Sequence, residues 1–179
     1  MSFRASGWLI AAVALLLIGT GLATFAVVRA VTDDECPASA EGTPLEDTLV
    51  VTESASDPFP GLTEADVAIG GQCRRLVIAD SPDERGAGLR DRSDLGPYDG
   101  LLFVYDADTL VSYTMSGVPV PLDIAFYNSR GNEVDRLEMV PCEGDPASCP
   151  SYQSSHPFRF ALETPAGELP AGSLVGCRS

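Results

Sequence analysis

The chain of 179 residues has no lysine, one histidine and one tryptophan, and none of its five cysteines stands in a Cys-x-x-Cys pair. Without lysine, eleven arginines face 26 acids, and the formal net charge is −15. Such a surface repels nucleic acid and anionic lipid, so neither is expected as a partner. The missing lysine is read as a composition bias or an adaptation to salt, not as a site. A single histidine and the absent Cys-x-x-Cys pairs leave zinc without its usual ligand set, and the thioredoxin spacing is missing too. There is also no Gly-x-Ser-x-Gly, no phosphate-binding glycine loop and no dinucleotide fingerprint. No cofactor or metal is expected.

Charge is missing locally as well. "SGWLIAAVALLLIGTGLATFAVV", residues 6–28, carries none, and about 20 apolar residues suffice to span a bilayer. Residues 1–29 are therefore expected to anchor the chain, with a single transmembrane helix over 8–28. Acidic residues count little in orientation, and Arg4 and Arg29 flank the run on both sides. The short tail and the cysteine-containing remainder place the N-terminus in the cytoplasm and the bulk of the chain outside. The expected location is the cell membrane, single-pass. Secretion after signal cleavage is the alternative: "VRA" at Val28–Ala30 resembles a cleavage site, although the run exceeds the usual h-region of about 7–15 residues. Cys36 lies too far beyond the run, without a small-residue lead-in, to read as a lipidation site.

Residues 30–65 carry nine acids and no base, and are rich in Ser, Pro and Gly. They read as an acidic disordered tether with one marginal strand at "TLVV". The globular domain is expected over 66–179, with seventeen acids against nine arginines.

That domain reads as mainly β. "DVAI" and "CRRLVIA" flank Gly70-Gly71, a hairpin signal. Ser81, Pro82 and Glu84 form a capping box around a first-turn proline, predicting a short helix over 82–90. "GLLFVYD", "LVSYTMS", "LDIAFYN", "EVDRLEMV", "FRFALE" and "SLVGC" read as strands, with a turn at "SRGN". The expected fold is a compact small barrel or sandwich of about seven short strands with one short helix.

Outside the membrane, paired cysteines usually form disulfides. Cys142 and Cys149 flank a short Gly/Pro-containing loop, whose closure contributes roughly 2.5 kcal/mol. Cys73 opens the first core strand and Cys177 ends the last, so bonding them would close a loop worth roughly 4–5 kcal/mol. Cys36 is left over in the tether.

"LVIADSPDERGAGLRDRSDLGPYDGLLFVYD", "MSGVPVPLDIAFYNSRG" and "MVPCEGDPASCPSY" follow one another in an order and spacing that resemble the domain of unknown function 192 (DUF192) family. The resemblance covers about residues 66–179. It implies a small, mainly β domain of a kind often exported or membrane-tethered, and no particular activity. Asp80, Glu84, Arg85, Arg92, Asp99-Gly100 and Asp123 stand where the family pattern places them. Where members commonly show Trp-Met-Lys-Asn-Thr, this chain has Thr114, Met115, Ser116, Gly117 and Val118, so a cation and an amide are lost.

Asp123 sits between Leu122 and Ile124 in a stretch that otherwise reads as a buried strand. With period two, Leu122, Ile124 and Phe126 face the core, and Asp123, Ala125 and Tyr127 face a second side. A carboxylate there needs a partner. Arg92 or Arg85 is expected to supply it, at the rim of a shallow pocket. Asp123, Arg92, Asp80 and Glu84 are thus the candidate ligand-binding residues, although Asp80 and Glu84 also suit local capping roles. Ser154 and Ser155 adjoin His156, but sequence neighbours rarely form a nucleophile–base pair. The favoured reading is a membrane-tethered β module that binds an unknown small-molecule or envelope partner. The alternative is a small envelope-associated hydrolase using a carboxylate cluster of Asp123 with Glu84 or Asp80.

Overall fold

The computed structural model describes residues 53–177. The apolar run, the acidic stretch as far as residue 52 and Cys36 lie outside the described residues. Among the described residues, no helix is long and apolar enough to cross a membrane.

The strands are β1 (Glu53–Ser54), β2 (Thr63–Ile69), β3 (Gln72–Ala79), β4 (Gly100–Thr109), β5 (Ser112–Thr114), β6 (Leu122–Tyr127), β7 (Glu133–Met139), β8 (Ser151–Gln153), β9 (Phe158–Pro165) and β10 (Leu174–Gly176). One helix, α1 (Pro82–Ala87), falls between β3 and β4. A curled sheet runs β1-β2-β3-β4-β9-β6-β7, a half-barrel, with β5 and β8 forming a small ladder of their own. Order begins upstream of the expected boundary at residue 66. Phe59 is fully buried, its ring edge-on to Tyr98 at 5.7 Å, and Glu64 and Ala65 are buried on β2. A few well-placed anchors hold a segment whose average composition reads as tether.

Gly70-Gly71 makes the β2–β3 turn, with φ of 60° and 84°. Two consecutive left-handed residues match the right-handed twist of a two-residue hairpin, and glycine adopts them without strain. The β3–β4 pairing is parallel, so it needs a crossover, and α1 with its following loop supplies it. The capping box is formed by Ser81 and Glu84. The helix stops earlier than the expected residue 90, because Gly88 turns to φ 51° and donates its N–H to the Glu84 carbonyl at 2.9 Å.

Strand pairing alone does not close the expected barrel. The segment after β9 fills the gap instead. β10 pairs with β2, the Leu174 N–H donates to the Gly131 carbonyl at 2.8 Å, and the Arg136 guanidinium of β7 donates to the carbonyls of Leu169 and Pro170. Gly131 has no alternative at this contact: a Cβ there would lie 1.9 Å from the Leu174 oxygen.

The sheet is buried on both faces. Val77, Leu101, Phe103, Ile124, Phe126 and Ala161 belong to one apolar cluster. Leu76, Ile78, Leu102, Ala125, Tyr127 and Leu162 belong to the other. The period-two split of β6 is therefore as expected, but the second side is no roomy rim. β6 lies between β7 and β9, so Ala125 and Tyr127 are fully buried. Burying large apolar side chains such as Ile124 and Phe126 contributes about 1.5–3 kcal/mol each.

Cys142 and Cys149 form a disulfide with an S–S distance of 2.08 Å. The register that sets Cys73 opposite Ala68 and Gly176 opposite Val67 brings the Cys73 and Cys177 sulfurs to 3.5 Å.

Candidate functional site

Alongside the first apolar cluster lies a cleft of about 500 Å³. Arg85 through Arg90, on α1 and the turn after it, form one wall. Phe103 and Tyr105 of β4 with Val111 through Thr114 form another, Val118 adds to the lining, and Glu163 of β9 lies within it. The aromatic wall is rigid. Tyr113 stands edge-on to Phe103 at 5.2 Å, and its hydroxyl shares a 2.8 Å hydrogen bond with that of Tyr105. Arg85 is fixed as well: its guanidinium lies 4.7 Å from the Tyr105 ring centroid and donates to the carbonyls of Val104 and Asp80. Arg90 is exposed, and its aliphatic stem runs beside Gly117.

Glu163 is the unusual member. It pairs in register with Leu101 of β4 and Ile124 of β6, both in the first cluster, so alternation turns its side chain to the same apolar face. The residue is only 6% exposed, and among the described residues its carboxyl has neither a hydrogen bond nor an ion pair. Burial alone pushes its pKa up to about 8, so near neutrality it carries a proton and no charge. Burial also raises Tyr105 and Tyr113, and in both the proximity of Glu163 adds to the effect. The cleft thus offers neutral hydroxyl and carboxyl groups at depth and two guanidinium groups on the helix side.

Of the residues picked out from sequence, Arg85 lines this cleft, whereas Asp80, Glu84, Arg92 and Asp123 do not. Glu84 completes the helix cap, its Oε2 accepting from the N–H groups of Asp80 and Ser81 at 3.1 and 2.9 Å. Those bonds, the Ser81 N–H first, lower its pKa. Partial desolvation, followed by the charge of Glu84, raises Asp80. Arg92 donates to the Pro58 carbonyl and lies 4.4 Å from the Phe59 ring centroid. It borders a second, apolar cleft of about 260 Å³ with Leu89, Leu95 and Leu122.

Asp123 is half-buried and does not pair with Arg92 or Arg85. Its Oδ2 accepts the Gly167 N–H at 2.7 Å, in the turn after β9. The expected ion pair fails because Asp123 shares the second face of β6 with Ala125 and Tyr127, whereas Arg85 and Arg92 lie beside Phe103 and Leu122 of the first cluster. Asp80, Glu84 and Asp123 accordingly form no shared carboxylate group. Among the described residues no three His, Cys, Asp or Glu side chains are placed to hold a metal ion. Ser155 does meet His156, Oγ to Nδ1 at 2.9 Å, but Asp135 binds the Ser155 hydroxyl at 2.7 Å and not the histidine. A nucleophile–base relay needs the carboxylate on the far side of the imidazole.

Sequence reasoning did not single out Glu163, Arg90 or Tyr113 as site residues. Two of the departures from the family run bear on this cleft, since Thr114 and Val118 both line it. Thr114 stands where the resemblance places a tryptophan, and the smaller side chain leaves space. Gly117, at φ 76°, stands where the resemblance places an asparagine. Glycine and asparagine are the residues that most readily adopt such a left-handed backbone.

A mainly β half-barrel with a single crossover helix and one cleft beside that helix defines the class. The model of the DUF192 family, described as an uncharacterized ACR, matches residues 65–175, and the chain belongs to that family. No curated protein matches it. A protein of unknown function from Novosphingobium aromaticivorans DSM 12444 is similar in structure, with a TM-score of 0.58 at 22% identity, covering 69% of this chain and 92% of that one. A candidate transcription regulator from Sinorhizobium meliloti 1021 is similar with a TM-score of 0.52 at 24% identity, covering 63% and 92%. At these identities the likeness is one of fold.

Proposed function

We propose that this protein is a membrane-tethered, extracytoplasmic binding module that takes a small molecule in the cleft between α1, β4 and β5. One observation carries the reading: Glu163 is buried, its carboxyl has no partner among the described residues, and it lines that cleft. A buried polar group without a partner is costly, and a ligand that supplies the partner offsets the cost. The volume of about 500 Å³ falls in the range of small-molecule sites. The uncharged run of residues 6–28 and the Cys142–Cys149 disulfide support a tether and an oxidising location.

The test is a thermal-shift screen of the full chain against a chemically varied metabolite set, run in parallel on Thr114→Trp, which fills the cleft. A ligand at 100 times its Kd stabilises by about 2.7 kcal/mol, several degrees in Tm. At least one compound should raise the Tm of the parent and leave Thr114→Trp unmoved. If every compound acts equally on both, or none acts, the cleft is not a binding site. Protease added to spheroplasts should remove the domain; protection of the domain inside intact spheroplasts would overturn the outward orientation.

A further inference from the structure

We propose that the cleft takes a small zwitterion, whose amine end sits on Glu163 against the aromatic wall and whose acidic end faces Arg90. The inference rests on reading the cleft as a ligand site and names the ligand's chemistry. Among the described residues no cation pairs with the Glu163 carboxyl. An ammonium group supplies a counter-charge and three donors. Phe103, Tyr105 and Tyr113 border the same space, and aromatic faces favour a cation. Arg85 is already held by two carbonyls and a ring. The Arg90 guanidinium has no hydrogen bond or ion pair among the described residues and lines the same cleft. A guanidinium in that position recognises a carboxylate or phosphate.

The charges that face Glu163 fix the direction of the pH effect. Tyr105 of β4 and Tyr113 of β5 stay neutral up to high pH, because burial raises both. Arg85 and Arg90 line the helix side of the same cleft. Only Glu163 titrates near neutrality, so seating an ammonium releases its proton to solvent. Below its free pKa, affinity therefore rises about tenfold per pH unit and levels off above it.

Three matched probes test this on the full chain: 5-aminopentanoate, pentylamine and pentanoate, measured by calorimetry at several pH values and in buffers of different ionisation heat. 5-Aminopentanoate should bind best, with about one proton released at pH 6 and affinity rising about tenfold from pH 6 to 7. Glu163→Gln, which keeps shape and hydrogen-bonding capacity, should weaken both amines at least tenfold and abolish proton release. Arg90→Gln should weaken 5-aminopentanoate and leave pentylamine unchanged. Pentanoate binding as well as 5-aminopentanoate, affinity that falls with pH, or no binding of any probe at about 10 mM would each overturn the proposal. If the metabolite screen still finds compounds that Thr114→Trp alone rejects, the binding module stands and only the zwitterion falls.

Discussion

The hydroxyls of Tyr105 and Tyr113 meet at 2.8 Å, tying β4 to β5 along one wall of the cleft. Tyr113→Phe leaves the Tyr105 hydroxyl without its partner and should cost about 1 kcal/mol. The double variant with Tyr105→Phe should cost less than the two single changes added together, because no orphan hydroxyl remains. Urea denaturation of the four proteins supplies the cycle; strict additivity would mean that the two hydroxyls do not act as a pair.

Glu163 should leave its mark on stability against pH. Its folded pKa is raised to about 8, against about 4.3 in an unfolded chain. The folded protein therefore holds the proton more tightly. That contribution is fully present below about pH 4.3 and is lost as pH rises through 8. The parent should weaken relative to Glu163→Gln across this window, with the difference levelling off above pH 8. Parallel curves for the two proteins from pH 4 to 9 would show that the carboxyl is not desolvated.

Glu64 behaves in the opposite sense. Its carboxylate accepts the Tyr98 hydroxyl at 2.5 Å and the Arg75 guanidinium at 2.6 and 3.0 Å, and the Tyr98 bond is the first cause that holds its pKa down. Its stabilisation is present above the unfolded pKa and fades as pH falls through the depressed folded value. Tyr98→Phe should cost about 1.5–3 kcal/mol at pH 7, the range for a hydrogen bond to a charged group. The loss should shrink in acid, where Glu64 is protonated. A cost that stays constant down to pH 3 would assign it to the Ser56 N–H, which loses the Tyr98 hydroxyl it donates to at 2.7 Å.

Asp123 serves the turn after β9 through Gly167. Asp123→Ala should destabilise by about 1–2 kcal/mol, whereas Asp123→Asn keeps an acceptor oxygen and should cost less. Neither change should alter occupancy of the cleft. Loss of ligand response in a fully folded Asp123→Asn variant would return this residue to the binding site.

The local features were legible because each is written within eight consecutive residues or fewer. Gly70-Gly71, the Ser81–Glu84 cap and the Cys142–Cys149 loop need only short-range stereochemistry. Glu163 was not legible for a definite reason. In "FRFALE" the bulky Phe158, Phe160 and Leu162 alternate with Arg159, Ala161 and Glu163, the pattern of a strand with one wet face. β9 is instead central, between β4 and β6, and both its faces are covered. Strand order is set by pairing between distant segments, and no short window encodes it. The start of the domain was hidden similarly, since Phe59 and Glu64 become anchors only once Tyr98 and Arg75 arrive from downstream.

β1 and β10 lie end to end along one edge of β2, at Thr63–Glu64 and at Val67–Ile69. Until residues 174–176 have been synthesised, most of that edge presents open amide and carbonyl groups, a template for pairing with other chains. A nonsense codon after β9 would therefore yield a polypeptide with nearly the whole sheet and an uncovered margin, prone to self-association. The same adjacency invites a circular permutant. Linking residue 177 to residue 53 and opening the chain at the exposed Gly167 turn should preserve the fold, with both sheet-closing strands borne on one continuous hairpin.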